Sequence, residues 1–99
     1  LYGMTVFEFD PAKAAASVAK HGVSFALAQA VWDDPWHVIV PDRVTDGERR
    51  YHAIGMVGHV VLLVVAHMYP DGDDADRVRI IGARRATRHE RRRYEEDAT

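Results

Sequence analysis

Apolar and polar residues alternate from Met4 through Phe9 in a segment rich in β-formers, which predicts a first strand. The period then changes. Asp10-Pro11 predicts a helix start, because an Asp side chain caps free N–H groups and a proline at the first helical position loses no hydrogen bond. The alanine-rich stretch Ala12 to Lys20 continues the helix, and His21-Gly22 closes it with a basic last turn and a C′ glycine. Ser24 caps a second helix to about Asp33, with Phe25, Ala28 and Val31/Trp32 at helical spacing, and Asp33-Asp34-Pro35 stops it.

Strand patterns follow. Trp36 to Val40 predicts a strand, Pro41 to Gly47 a polar turn, and Arg50 to Val57 a further strand turned by Gly58. Val60 to Ala66 is apolar on both faces, as expected of a central strand covered above and below. After an acidic loop, Asp71 to Asp76, the last strand runs from Arg77 to Ala83, with Val78 and Ile80 on one face and Arg79 and Ile81 on the other. Thr87-Arg88-His89-Glu90 is a capping box that opens a C-terminal helix to about Glu96. The order β-α-α-β-β-β-β-α, with hairpin-length links, predicts an α+β protein: an antiparallel sheet with two N-terminal helices and one C-terminal helix.

Composition narrows the class. Ninety-nine residues with 47% hydrophobic content suit a single domain over 1–99, with Met4 a natural start and residues 1–3 an extension ahead of it. No cysteine is present, which excludes disulfides, Cys-ligated zinc, iron–sulfur clusters and thiol nucleophiles and fits a reducing cytoplasm. The longest apolar run, Val60 to Ala66, is far short of the ~20 residues of a membrane span. Leu1-Tyr2-Gly3 shows no signal-peptide pattern, so a soluble intracellular protein is expected.

Charge changes the picture more. Thirteen Lys+Arg against 15 Asp+Glu give a net of −2. Arg77 to Arg93, however, holds eight arginines and one acid (+7), and the rest holds five cations and 14 acids (−9). Arginine's planar fork suits phosphate and carboxylate. Arg77, Arg79, Arg84 and Arg85 are expected to converge near one sheet edge, beside the N–H groups of the last helix, as a phosphate site. Arg88, Arg91, Arg92 and Arg93 precede Glu95, Glu96 and Asp97 on that helix. This order opposes the helix dipole, so either an anion is their partner or they pair along a solvated face.

Other candidates keep two readings each. Lys13, Ser17 and Lys20 share one face of the first helix with His21 at its end, either a basic patch with a titratable imidazole or an ordinary exposed, cationic helix end. Tyr94 either stacks on a base, moves a proton, or packs its ring on the sheet. His67, at the end of the central strand, is a candidate general base. His37, His52, His59, His67 and His89 lack zinc spacing, and the Asp71–Asp76 loop lacks the calcium-loop glycine and distal Glu, so no metal and no cofactor is expected.

Phe7-Glu8-Phe9-Asp10-Pro11-x-Lys13, Lys20-His21-Gly22-Val23-Ser24-Phe25, Asp33-Asp34-Pro35, Gly47-Glu48-x-Arg50, Arg79-Ile80-Ile81-x-Ala83-Arg84-x-Ala86-Thr87 and Glu90-Arg91-x-x-Tyr94-Glu95 occur in the order of the BrnT toxins of type II toxin–antitoxin modules, which the chain resembles over about residues 6–96. Phe9 stands where that family usually has Trp, Ser17 where it has Asn, and Ile80-Ile81-Gly82-Ala83-Arg84 where Ile-Ser-Ala-Arg is common. The resemblance implies a RelE-like fold and a bacterial ribonuclease that arrests translation. It also implies a BrnA-like ribbon-helix-helix antitoxin, with operator DNA bound only through the complex.

Metal-independent RNA cleavage needs a base for the 2′-OH, cations for the phosphorus oxygens and an acid for the 5′-oxygen. The expected set is Arg79 and Arg84 on the scissile phosphate, Lys20 assisting, His21 or His67 as base or acid, and Tyr94 stacking or transferring a proton. Lys13, Arg77, Arg85, Arg88 and Arg91 are expected to bind further phosphates. The rival reading is a module without chemistry, whose arginine face docks an acidic antitoxin segment or DNA and which acts only as a co-repressor.

Overall fold

The computed structural model describes residues 4–72 and 74–97; residues 1–3, Asp73 of the acidic loop and residues 98–99 lie outside the described residues. The elements run β1 (Val6–Glu8), α1 (Pro11–His21), α2 (Phe25–Ala28), a 3₁₀ segment (Gln29–Asp33), β2 (Val38–Thr45), β3 (Glu48–Val57), β4 (Val61–Met68), β5 (Arg77–Arg85) and α3 (Arg88–Asp97). They form one five-stranded sheet ordered β1-β5-β4-β3-β2. Strands β2 to β5 are antiparallel hairpin neighbours. The departure from an all-antiparallel sheet is β1, which docks parallel to β5 with Phe7 opposite Val78. Chain order alone cannot reveal that pairing, because some seventy residues separate the two strands.

The caps form as the local chemistry requires. Asp10 accepts from the Ala12 N–H at 2.8 Å, and Ser24 Oγ accepts from the Leu27 N–H at 3.0 Å. Gly22 ends α1 at φ 70°, where its N–H reaches the Val18 carbonyl at 2.9 Å. The second helix is shorter than its periodicity suggests, tightening to 3₁₀ after Ala28. Pro41 to Thr45 is strand rather than turn. β2 is an edge strand, so Pro41 needs no N–H bond there, and a register shift between Pro41 and Val44 absorbs the polar insertion. The turn itself is Asp46-Gly47, at φ 51° and 80°, the two left-handed positions of a tight hairpin.

Core packs on both faces of β4. On the helix side Phe25, Val31, Leu63, Val65, Val78 and Ile80 are buried together. Gly55 lets β3 approach the 3₁₀ segment, since a Cβ there would stand 2.7 Å from Val31 Cγ1. On the opposite face Ile54, Leu62 and Val64 pack under Tyr94 of α3. Between Ala66 and His67 the β4–β5 register shifts, so that Ala66 faces Gly82 while His67 faces Ile80. Ile81 is the extra residue of this bulge, which sends Ile80 and Ala83 to the same buried face.

β1 pairs only with residues 77–79, and α1 closes the remaining edge of β5. Ser17 Oγ makes that joint, sharing its proton between the carbonyls of Val23 at 2.9 Å and Ala83 at 3.0 Å. No described helix is long and apolar enough to cross a membrane.

Candidate functional site

The C-terminal end of α1 overhangs the bulge in β5. Lys13, Ser17, Lys20 and His21 line a recess of about 260 Å³ with Ile81 and Gly82. A second recess, about 130 Å³, is bounded by His21, His52, Ala66, Gly82 and Arg84. The two share His21 and Gly82 and so form one groove. Its floor is a single row across the sheet, His52–Ala66–Gly82, set by strand register. Small side chains keep that row low, and a Cβ on Gly82 would meet nothing within 4 Å.

Arg84 stands at the groove wall in a fixed pose. Its Nη1 and Nη2 donate to Glu90 Oε1 at 2.7 Å and Oε2 at 2.8 Å, and Nη1 also reaches the Arg85 carbonyl at 3.3 Å. The same carboxylate accepts from the Thr87 N–H at 2.9 Å, while the Glu90 N–H donates to Thr87 Oγ1 at 3.2 Å. The predicted capping box is therefore also the arginine's anchor. The Arg84 fork is the main reason that the Glu90 carboxyl is held down to about 2, with the Thr87 N–H adding to it against burial. Among the described residues, Nε and the second Nη2 proton of Arg84 take no part in these bonds.

The other arginines do not converge with Arg84. Arg77 Nε and Arg79 Nε both donate to Glu8 of β1, at 2.6 and 2.7 Å, and Arg77 Nη1 also bonds Asp71 at 3.0 Å. The Arg79 and Arg77 bonds hold the Glu8 carboxyl below its ordinary range. Arg79 pairs with Met68 and Arg84 with Val64, four residues apart on β4, which is roughly 13 Å along the strand. Arg85 lies opposite Leu63 and so belongs to the helix-side face, while Arg88 and Arg91 are exposed on α3. The expected single arginine site is thus two sites at the two ends of β5.

His67 and Tyr94 are placed away from the groove. His67 is 0% exposed on the helix-side face, against the rings of Trp32, Tyr51 and Tyr69. Its Nε2 meets Tyr69 Oη at 3.1 Å and its Nδ1 the Val65 carbonyl at 3.0 Å. Burial lowers its pKa to about 4, opposed by the Val65 bond. Tyr94 packs on the sheet, and its hydroxyl donates to Asp34 Oδ2 at 2.6 Å. Burial and that bond push the Tyr94 hydroxyl up to about 12. Asp34 also accepts from the Met56 and Trp36 N–H groups at 2.7 and 2.9 Å; burial pushes its carboxyl up, but the Tyr94 bond and these two together outweigh it and hold the carboxyl below its ordinary range. A cavity of about 530 Å³ beside them, lined by Trp36, Met56 and His59 among others, holds none of the cationic candidates.

Two residues on this face carry no local sequence signal. His52 has no metal-ligand spacing to mark it, and Asp42, 3.5 Å from His52 Nε2, sits in a stretch whose composition reads as a turn. Strand alternation puts His52 on one face of β3, but only the sheet order shows that this face carries the groove. Among the described residues, no three His, Cys, Asp or Glu side chains are grouped to hold a metal ion.

The fold is that of a small ribonuclease toxin. The crystal structure at 1.1 Å resolution of the Brucella abortus ribonuclease toxin BrnT superposes with a TM-score of 0.63, at 21% identity, over 86% of this chain and 99% of that one. The family model described as the ribonuclease toxin BrnT of type II toxin–antitoxin systems matches residues 9–90, and the chain belongs to that family. No curated protein sequence matches it.

Proposed function

We propose that this family member cleaves RNA without a metal ion in the groove over Gly82. The observation that carries the proposal is the junction of the two recesses, where Lys20, His21 and Arg84 surround one low floor. The RNA 2′-oxygen attacks the adjacent phosphorus and the 5′-oxygen departs, leaving a 2′,3′-cyclic phosphate and a 5′-hydroxyl. Arg84 and Lys20 neutralise the charge that gathers on the phosphorus oxygens. His21 moves one of the two protons. Arg79 and Arg77 engage a second phosphate further along the strand, with Lys13, Arg85, Arg88 and Arg91 as outer contacts. His67 and Tyr94 take no direct part, since one is enclosed and the other is committed to Asp34.

The chain acts as one domain in the cytoplasm, and its cleavage of RNA arrests translation. A BrnA-like ribbon-helix-helix antitoxin covers the groove, and operator DNA is bound only by the complex. Purified protein incubated with RNA and excess EDTA should yield fragments ending in cyclic phosphate. Intact RNA under those conditions, with cleavage restored by added metal, would refute the metal-free step.

A second reading draws on the ion pairs. Arg77, Arg79 and Arg84 each already hold a carboxylate, the partner that an acidic antitoxin segment would offer. On that reading the chain is a co-repressor without chemistry. Expression without an antitoxin separates the two: growth arrest with cleaved RNA supports the enzyme, and unaffected growth supports the module.

A further inference from the structure

Building on the ribonuclease reading, we infer that His52, positioned by Asp42, is the second proton-transfer group of the groove and works across its floor from His21. His52 and His21 bound the same recess with Arg84, on either side of Ala66 and Gly82. The recess, about 130 Å³, is large enough for one phosphate group between the two rings. His52 is half-buried on β3 and keeps its ring in the groove row, while His21 enters from the end of α1.

A carboxylate 3.5 Å from Nε2 stands on that side of the His52 ring, which leaves Nδ1 for the substrate. The strand irregularity in β2 delivers that carboxylate. Asp42 falls in the register shift between Pro41 and Val44, next to the Val40–His52 pair. The charged and titratable groups around His52 are Asp42 from β2, Arg84 from β5 and His21 from α1, with His67 across the sheet. The charge of Asp42 is also felt at Arg84.

Placement divides the roles. The two rings bound the same recess from different elements, so one can take the 2′ proton while the other gives a proton to O5′. His21 takes the proton from the 2′-hydroxyl as the O2′–P bond forms. His52 gives its proton to O5′ as the P–O5′ bond breaks. The two imidazoles end with exchanged protonation states, and no co-reactant is consumed.

An oligoribonucleotide with sulfur in place of the scissile 5′-oxygen tests this assignment, because a thiolate leaves without a proton. The full chain is assayed on oxygen and sulfur substrates across pH, with EDTA present. His52→Gln should lose about 10²–10⁴-fold on the oxygen substrate and recover most of that loss on the sulfur one. His21→Gln should lose on both. Asp42→Asn, which keeps the groove's shape, should lose about tenfold on oxygen only and displace one limb of the pH profile. Equal losses by His52→Gln on both substrates, or no loss at all, overturn the inference while leaving the ribonuclease reading intact. Failure of the unaltered chain to cut either substrate overturns both.

Discussion

The sheet's two faces each hold a histidine on a central strand, and they use it in opposite ways. On the helix-covered face His67 is enclosed by Trp32, Tyr51 and Tyr69, and its ring nitrogens are satisfied by protein atoms. On the other face His52 lies over Ala66 and Gly82, with Asp42 on one side and open groove on the other. α3 covers only part of that face, where Tyr94 seals Ile54, Leu62 and Val64. What separates the enclosed histidine from the accessible one here is the size of its neighbours. Large aromatic side chains close one face, and a row of Ala and Gly leaves the other uncovered.

The sharpest way to break this contrast is at Arg84. Arg84→Ala should lower RNA cleavage by about 10²–10³-fold, as removal of a preorganised charge-stabilising donor does, whereas Arg79→Ala should cost about tenfold, measured as kcat/KM on a short RNA. Equal effects would mean that the two ends of β5 act as one site.

The next largest effect belongs to the closed face. His67 has an ordinary pKa of 6.5 and a folded value of about 4, so between these pH values the unfolded chain binds a proton that the folded chain does not. Stability is therefore fully present above pH 6.5 and falls as pH drops toward 4, by about 3 kcal/mol in all. His67→Gln should flatten that segment of a denaturant-derived stability profile. Glu90, held at about 2, should add a second loss only at lower pH, between about 4.5 and 2.

Asp34→Ala should destabilise by about 2–3 kcal/mol, because it strands the Tyr94 hydroxyl and the Met56 N–H. Thermal melts measure the loss, and cleavage per folded molecule should stay unchanged. The smallest effect is expected at the floor. Gly82→Ala places a Cβ where nothing lies within 4 Å, so stability should move by no more than about 0.5 kcal/mol. RNA affinity should nonetheless fall about tenfold, as a filled floor displaces the backbone phosphate.

Local chemistry made much of this legible. Asp10-Pro11, Ser24 and the Thr87–Glu90 box each cap the helix that they predict, because such bonds are made within four residues. Val60 to Ala66 reads as a doubly covered strand, and β4 is buried across Leu62 to Val65. Non-local choices were illegible. Pro41-Asp42 looks like a turn until β2 is known to be an edge strand. His67 and Arg84 are both polar groups on central strands, and only the register and the helix layer show which face each one occupies. The bulge at Ile81 moves Gly82 and Arg84 onto the groove side, and no residue there announces it. Ser17, placed in a cationic patch, instead fastens α1 to β5.

The Glu90 carboxylate accepts one bond from the Thr87 N–H at the start of α3 and two from Arg84, so nucleating that helix and aiming the arginine are a single event. α3 follows every strand in chain order, and a nascent polypeptide that has emerged only through β5 has the guanidinium but not its anchor. During synthesis Arg84 therefore stays unanchored until the capping box has left the ribosomal tunnel. On the proposed reading, vectorial translation thereby delays a competent cutting site until the sheet beneath it has been made.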